Sequence, residues 1–434
     1  MRRLLISQFS DLHLGASLAG GRLALPPSKV QQRRTEQRQC FERFATHVRE
    51  IRPDLVLLPG DLFDSGEPDA DDLNFLINTV NAMGPTPVFV APGNHDGYAP
   101  SGCYNAQSAL YLSRGSPHSP KWGNHVRIFT SERFETLPVM PHGAVTVTGA
   151  AFRRHMPESQ HVLADVRRPP QDGVHLLVFH GSLSSYPRAG ADKEVLPFAA
   201  ADLHRAGFAY AAVGHYHHGG PILGPGGRIL GAYAGAPFAA SLSDAMLCAT
   251  VGLSDPPYGG LGQASRATGG VGTWLDVELK PGQPLAEDAL HTLRCDPRAI
   301  HRIEMDVTGL TDSTALGHRL DAQLAARKAA QPDIVYLRLR GRLARGVEFN
   351  PEGPLRERFF HVVVDASAVD PDYDIQLDAE PGPEPDLAAT SEDVFRWKML
   401  KLYREATTDE ERERIRAALY YGLDALTLGE IHLR

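Results

Sequence analysis

Five times within its first 218 residues this chain repeats one arrangement: a short apolar run, of the length of one buried strand, ends in Asp, Asn or His. Leu4-Leu5-Ile6 leads into Asp11 and His13, and residues 55–58 lead into Gly60-Asp61 and Asp64. Val88-Phe89-Val90 leads into Gly93-Asn94-His95-Asp96. Residues 176–179 lead into His180-Gly181, and residues 210–213 into Gly214-His215-Tyr216-His217-His218. Between the first three runs lie two stretches of helical period, one with Phe41, Phe44, Ala45 and Val48 on its apolar face, the next with Leu73, Leu76, Ile77 and Val80. Strand, helix, strand in this order predicts an α/β chain, a β-sheet core flanked by helices. Polar residues at the carboxyl ends of strands lie where open α/β sheets build their sites.

The donors are oxygen and imidazole, with no Cys among them, which suits Mn, Fe or Zn and argues against a thiolate site. Asp11, His13, Asp61, Asn94, His180, His215 and His217 are more donors than one ion with an open position needs. Two ions sharing Asp61 as a bridge would use them all. At about 3.5–4 Å apart, two such ions activate a bridging water or hydroxide and neutralise charge in a phosphoryl displacement. Each junction taken singly has a plainer reading: Asp after Gly is ordinary turn chemistry, and His180 alone is ambiguous. Most of the nineteen histidines, His47, His125 and His204 among them, stand outside any ligand spacing. His218 is not assigned to metal.

The order Asp-X-His, Gly-Asp-X-X-Asp, Gly-Asn-His-Asp, His-Gly, Gly-His-X-His resembles the calcineurin-like metallophosphoesterase superfamily and, within it, the SbcD and YhaO group of DNA repair exonucleases. The resemblance implies a layered β-sheet core flanked by helices, a smaller α+β cap and C-terminal helices. It makes the seven donors the metal ligands and His95 the general acid, with Asp96 orienting it and Asp64 supporting from behind. It also implies two divalent ions (Mn2+, with Fe or Zn as alternatives), DNA as substrate, a homodimer, and an SbcC-like partner, an SMC-like ABC ATPase with a coiled coil. The run Tyr233-Ala234-Gly235-Ala236-Pro237 is similar to a Tyr-X-Gly-Ser-Pro turn of that group, with Ala in place of Ser. Two other readings stand beside the nuclease: a phosphatase or cyclic-nucleotide phosphodiesterase, and a non-catalytic scaffold for the ATPase. Phe63-Asp64-Ser65 lacks the Arg that follows the second Asp in protein Ser/Thr phosphatases.

A chain of 434 residues holds two or three domains. Punctuation predicts a catalytic domain over 1–280, an α+β cap over 285–369, an acidic Pro-rich linker over 370–390 and a helical segment over 391–434. In that segment Ile415, Leu419, Gly422, Leu423 and Leu426 form an apolar stripe suited to the cap or to a partner helix. A net charge of −8 leaves DNA binding to local patches. Candidates are Arg33, Arg34 and Arg38; Tyr104, Tyr111, Arg114 and His118; Arg153-Arg154-His155; and the alternating Arg338, Arg340 and Arg342. The plainer reading is local packing for the tyrosines and a solvated surface for the arginines. Residues 254–272, rich in Gly, Pro and Ser, read as an insertion. Four scattered cysteines, no signal-peptide core and no membrane-length apolar run point to the cytoplasm.

Overall fold

The computed structural model describes residues 3–18, 24–105, 121–141, 143–153, 156, 161–185, 195–238, 273–310, 313–344, 352–373, 375–377, 382–386 and 388–428. Tyr111, Arg114, His118, Arg154, His155 and the 254–272 insertion lie outside the described residues.

Two six-stranded sheets form the core. The first has the order β12-β11-β1-β2-β3-β4, from β1 (Leu4–Gln8), β2 (Leu55–Leu58), β3 (Val88–Val90), β4 (Val126–Ile128), β11 (Thr273–Leu279) and β12 (Leu290–Arg294). The second has the order β5-β6-β7-β8-β10-β9, from β5 (Glu135–Pro138), β6 (Val145–Gly149), β7 (Val174–His180), β8 (Tyr210–Gly214), β9 (Gly220–Leu223) and β10 (Ile229–Tyr233). Strands β1 to β4 run parallel, as do β6, β7, β8 and β10. All four residues of β2 and all seven of β7 are buried, as in strands covered on both faces.

Leu55, Leu57, Phe89 and Val277 of the first sheet pack with Val147, Leu176, Val178 and Ala212 of the second in one dry core. One polar side chain crosses it. The Gln8 amide donates to the carbonyls of Ala232 at 3.0 Å and Val213 at 3.3 Å and accepts from the Tyr210 hydroxyl, so β1 is tied to β8 and β10. Helices α1 (Pro27–Ile51) and α2 (Ala70–Asn81) cover the outer face of the first sheet through Phe41, Phe44, Val48, Leu73 and Ile77. Asp69 caps α2, accepting from the Asp72 amide at 2.8 Å. Helix α3 (Ala200–Ala206) lies on the outer face of the second sheet through Leu203 and Ala206.

Arg33 on α1 is neither solvated nor available to steer phosphate. It is 1% exposed, forks onto Asp296 with two 2.9 Å bonds, reaches Glu36 at 2.8 Å and stacks on Phe238. Arg38 pairs with Asp72, while Arg34 is exposed. The break expected near 281–284 is a turn between β11 and β12, which pair with each other in the first sheet.

Strands β13 (Ile300–Asp306), β14 (Ile334–Ala344) and β15 (His361–Asp372) form a third sheet, within which the chain divides into two compact units. Residues 1–302, 326–336 and 354–363 make the first unit. Residues 303–325, 337–353 and 364–434 make the second, which holds helices α4 (Ser313–Ala326) nearly whole, α6 (Ser391–Glu405) and α7 (Asp409–Leu428); α5 (Glu352–Arg358) spans a division. In the second unit Leu419 and Leu423 of α7 pack with Tyr373, Phe395 and Met399, so much of the apolar stripe is covered within this chain, and Leu426 remains 48% exposed. The three arginines of β14 also have neighbours: Asp365 for Arg338, Glu304 for Arg340, and the Tyr420 ring for Arg342.

Candidate metal centre

The loops after β1 and β2 are zipped together by backbone bonds: Asp11 N–H to Gly60, His13 N–H to Asp61, Leu14 N–H to Leu62 and Asp64 N–H to Leu14. To point their side chains into one hollow, Asp11, His13, Asp61 and His215 take φ of 56°, 50°, 50° and 117°. Side-chain-bearing residues seldom adopt such values, and backbone strain of this kind gathers at functional sites. Gly60, at φ 86°, makes the turn possible: a Cβ there would sit 2.6 Å from the Gly93 nitrogen. The loops of β2 and β3 approach too closely for any side chain between them.

Three clusters of ligand-type atoms result: Asp11, His13 and His217; Asp11, Asp61 and His180; and His13, Asp64 and His95. Asp11, Asp61 and His180 are each 2% exposed. The His180 ring faces the Pro59 carbonyl through Nδ1 at 2.9 Å, and since a carbonyl only accepts, Nδ1 carries a hydrogen. Nε2 then aims at Asn94 Oδ1, 2.9 Å away, and at Asp61 Oδ2, 3.3 Å away. On the other side, the Nε2 atoms of His13 and His217 stand 3.1 Å apart, with Asp61 Oδ2 3.7 Å from His13. Lone pairs of oxygen and nitrogen thus converge from several sides, an arrangement that calls for cations. The donor set fits Mn, Fe or Zn and would hold them with Asp61 between the two halves. Imidazoles oriented from behind, His180 by Pro59 and His13 by Asp64 at 3.1 Å, are the usual support of metal-ligating histidines.

The charges are mutually dependent. Burial works against ionised Asp61, but His180, His13 and His95 hold its carboxyl well below the usual range. Burial likewise opposes a charged His180, yet Asp61 and Asp11 push its pKa up to about 9. His215 donates its backbone N–H to Asp11 at 2.9 Å, and its ring stands edge-on to His180.

His95 is the exposed member of the group. Its N–H donates to Asp61 at 2.9 Å, and its Nδ1 lies 3.2 Å from the Asp64 carbonyl and 3.5 Å from the Asp64 carboxylate. Hydrogen bonding to Asp64 is the main reason its pKa rises to about 9. Asp64, not Asp96, is therefore the carboxylate that faces His95. Asp96 is fully buried beneath the loop, where it accepts from the amides of Asp61, Leu62, Phe63 and Gly93. Its fifth donor is the Tyr104 hydroxyl. Tyr104, 4% exposed, is accordingly a structural partner of Asp96 and cannot stack on bases.

Other residues support the site from outside the five strand-end junctions. Gln37 on α1 donates to the carbonyls of Leu12 and His13 at 2.7 and 3.1 Å. Tyr233 hydrogen-bonds Gly181 and Leu183, which fixes the turn that follows His180. The Tyr-Ala-Gly-Ala-Pro run is the signal for that bond, although its purpose is visible only in three dimensions.

The chain is similar to known proteins over part of its length. A segment of 307 residues is 24% identical to the SbcD subunit of the SbcCD nuclease of Bacillus subtilis (strain 168), covering 64% of this chain and 70% of that one. A segment of 229 residues is 27% identical to the DNA double-strand break repair protein Mre11 of Nanoarchaeum equitans, covering 49% of this chain and 57% of that one. The solved structure of a dimetal phosphatase from Danio rerio aligns over 67% of this chain and 99% of its own, at 13% identity and a TM-score of 0.35. Residues 4–219, which hold all five strand-end junctions from Asp11 to His218, match the calcineurin-like phosphoesterase family, and the chain belongs to that family through this domain.

Proposed function

We propose that the protein is a two-metal phosphodiesterase that acts on DNA as a repair nuclease, with exonuclease activity and an endonuclease action within its reach. The observation that carries this reading is the convergence of Asp11, His13, Asp61, His180 and His217 in adjoining clusters beside an exposed, carboxylate-backed His95. Asp11, His13, Asp61, Asn94, His180, His215 and His217 would hold the ions, Mn2+ in the first instance, with Fe or Zn as alternatives. When bound, the two ions supply an activated water and neutralise charge at the phosphorus.

The protein's own groups do the rest. Asp61 spans both halves of the site and fixes His95 through its backbone N–H. With Nδ1 turned to Asp64, His95 presents the Nε2 proton to the departing sugar oxygen. The hydrogen bonds to Asp64 favour the protonated ring. Asp64 positions both His13 and His95, and Asp96 shapes the loop between them.

DNA rather than a small ester is favoured by the likeness to a nuclease component and to a break repair protein. The second unit then serves as cap and docking segment, and an SMC-like ATPase with a coiled coil is the partner, in the cytoplasm, with a homodimer as the assembly. Among the described residues no helix is long and apolar enough to cross a membrane.

Mn-dependent hydrolysis of linear duplex, single-stranded oligonucleotide and bis-p-nitrophenyl phosphate, with Asp61→Ala and His95→Asn as controls, tests the reading. Loss of DNA degradation in both variants is expected, with metal retained in His95→Asn. Cleavage of the small diester without any DNA, even at low salt, would move the assignment to a small-substrate phosphodiesterase.

A further inference from the structure

Arg153 stands directly beside the loop that carries Asn94 and His95. Phe152, its neighbour in sequence, holds that loop at both ends: the Phe152 N–H donates to the Pro92 carbonyl at 3.0 Å, and the Phe152 carbonyl accepts from the Tyr98 N–H at 2.8 Å. The contact is tight, since a Cβ on Gly97 would lie 3.1 Å from the Phe152 ring. Phe152 and Met156 are anchored with Val195 and Leu196 in a small apolar cluster, and both line a recess that also reaches His180. Arg153 thus follows directly on the residue that braces the Asn94–His95 loop.

Its charge meets no carboxylate among the described residues. Arg33, Arg38 and Arg298 of the same unit each have one within 3 Å. The Arg153 guanidinium instead lies 5.8 Å from the centre of the Tyr98 ring, and its Nε is out of water without a hydrogen-bond partner. An N–H withdrawn from water and left unbonded is costly, and an acceptor brought to it would recover that cost. A guanidinium matches the paired non-bridging oxygens of a phosphate, which it grips with two parallel bonds.

We propose that Arg153 is a substrate-binding residue that takes hold of phosphate oxygens of the phosphodiester presented to His95, with Tyr98 supporting the guanidinium from the side. The inference rests on the phosphodiesterase reading for its role in turnover, and on geometry alone for anion binding.

Two measurements on the Mn-loaded full chain separate these. Inorganic phosphate binding is followed by calorimetry, and hydrolysis of bis-p-nitrophenyl phosphate is resolved into KM and kcat, for wild type, Arg153→Ala, Arg153→Met and Arg153→Lys. Arg153→Met keeps the apolar stem and guards against misfolding, checked by thermal melting and by Mn content. For Arg153→Ala and Arg153→Met, phosphate affinity should weaken and KM rise by about 10- to 100-fold, the loss of a charge-assisted pair, with partial recovery in Arg153→Lys. Phosphate affinity and KM within about twofold of wild type in Arg153→Met would overturn the proposal. A wild type inert toward every phosphodiester would overturn the phosphodiesterase reading instead, and phosphate binding would then judge Arg153 by itself.

Discussion

The Asp96 carboxylate accepts the Leu62 amide hydrogen at 2.7 Å, and through that bond the loop after β3 dictates the conformation of the loop after β2. Five donors meet this one side chain, four of them backbone amides of residues 61, 62, 63 and 93. Asp96→Asn would set an amide donor against some of them. We expect it to lower unfolding free energy by about 3 kcal/mol or more and to weaken Mn binding, read by urea denaturation and calorimetry. Tyr104→Phe removes one donor of the five and should cost about 1 kcal/mol.

Asp11, Asp61 and His180 bring ligand atoms together out of water, where a cation would add its own attraction. Mn2+ added at a hundred times its dissociation constant should stabilise the fold by about 2.7 kcal/mol. A chelator should reverse the rise in melting temperature, and Asp61→Asn should remove the Mn effect. An equal shift in Asp61→Asn would place the ion elsewhere.

Gly60 and Gly282 have similar φ, 86° and 79°, but different surroundings. A Cβ at Gly282 meets nothing within 4 Å, so Gly282→Ala should cost only about 1 kcal/mol, the strain of the conformation. At Gly60 the same methyl runs into the backbone of Gly93 and Ala91. Gly60→Ala should cost more than about 2 kcal/mol in urea denaturation and should reduce turnover, because Asp61 moves with it.

Asp333 predicts a pH dependence away from the site. Its burial favours the neutral acid, yet His301 at 2.9 Å and the amides of Ala299 and Ala330 hold its pKa below the usual 3.8. The folded value is the lower one. Its contribution is therefore complete above the unfolded pKa, near pH 4, and is lost as pH falls through the folded value. Urea midpoints taken from pH 6 downward should drop more steeply below about pH 4 in wild type than in Asp333→Asn, which at neutral pH should be weaker by about 1–3 kcal/mol.

The strands and the donors are legible in the sequence because each junction is a local event: β2 is four apolar residues, and Asp61 follows within three. Their division between two sheets is not. Nothing in the composition of β6 distinguishes it from a further strand beside β4, and only the pairing of β6 with β7 shows the change of sheet. The position of Asp96 is hidden for a related reason. The Gly-Asn-His-Asp run places it next to His95 in sequence, but the turn sends the two side chains opposite ways, His95 outward and Asp96 beneath. Local packing of Tyr104 is expected without its partner being named, and Arg33 looks like a surface residue because polarity predicts exposure only when no partner waits inside. Their partners, Asp96 and Asp296, lie 8 and 263 residues away, and no periodicity reports them.

Asp11, His13, Asp61 and Asn94 follow strands of one sheet, while His180 ends a strand of the other and His215 and His217 follow one. The gap between the two sets is therefore gauged by whatever keeps the sheets apart, and Gln8 with Tyr210 forms a rung between them. Interior side-chain volume becomes a setting of the chemistry. A methyl group added at Ala212 or removed at Val178, though it touches no donor, would change the spacing between the jaws and so retune which ion they grip.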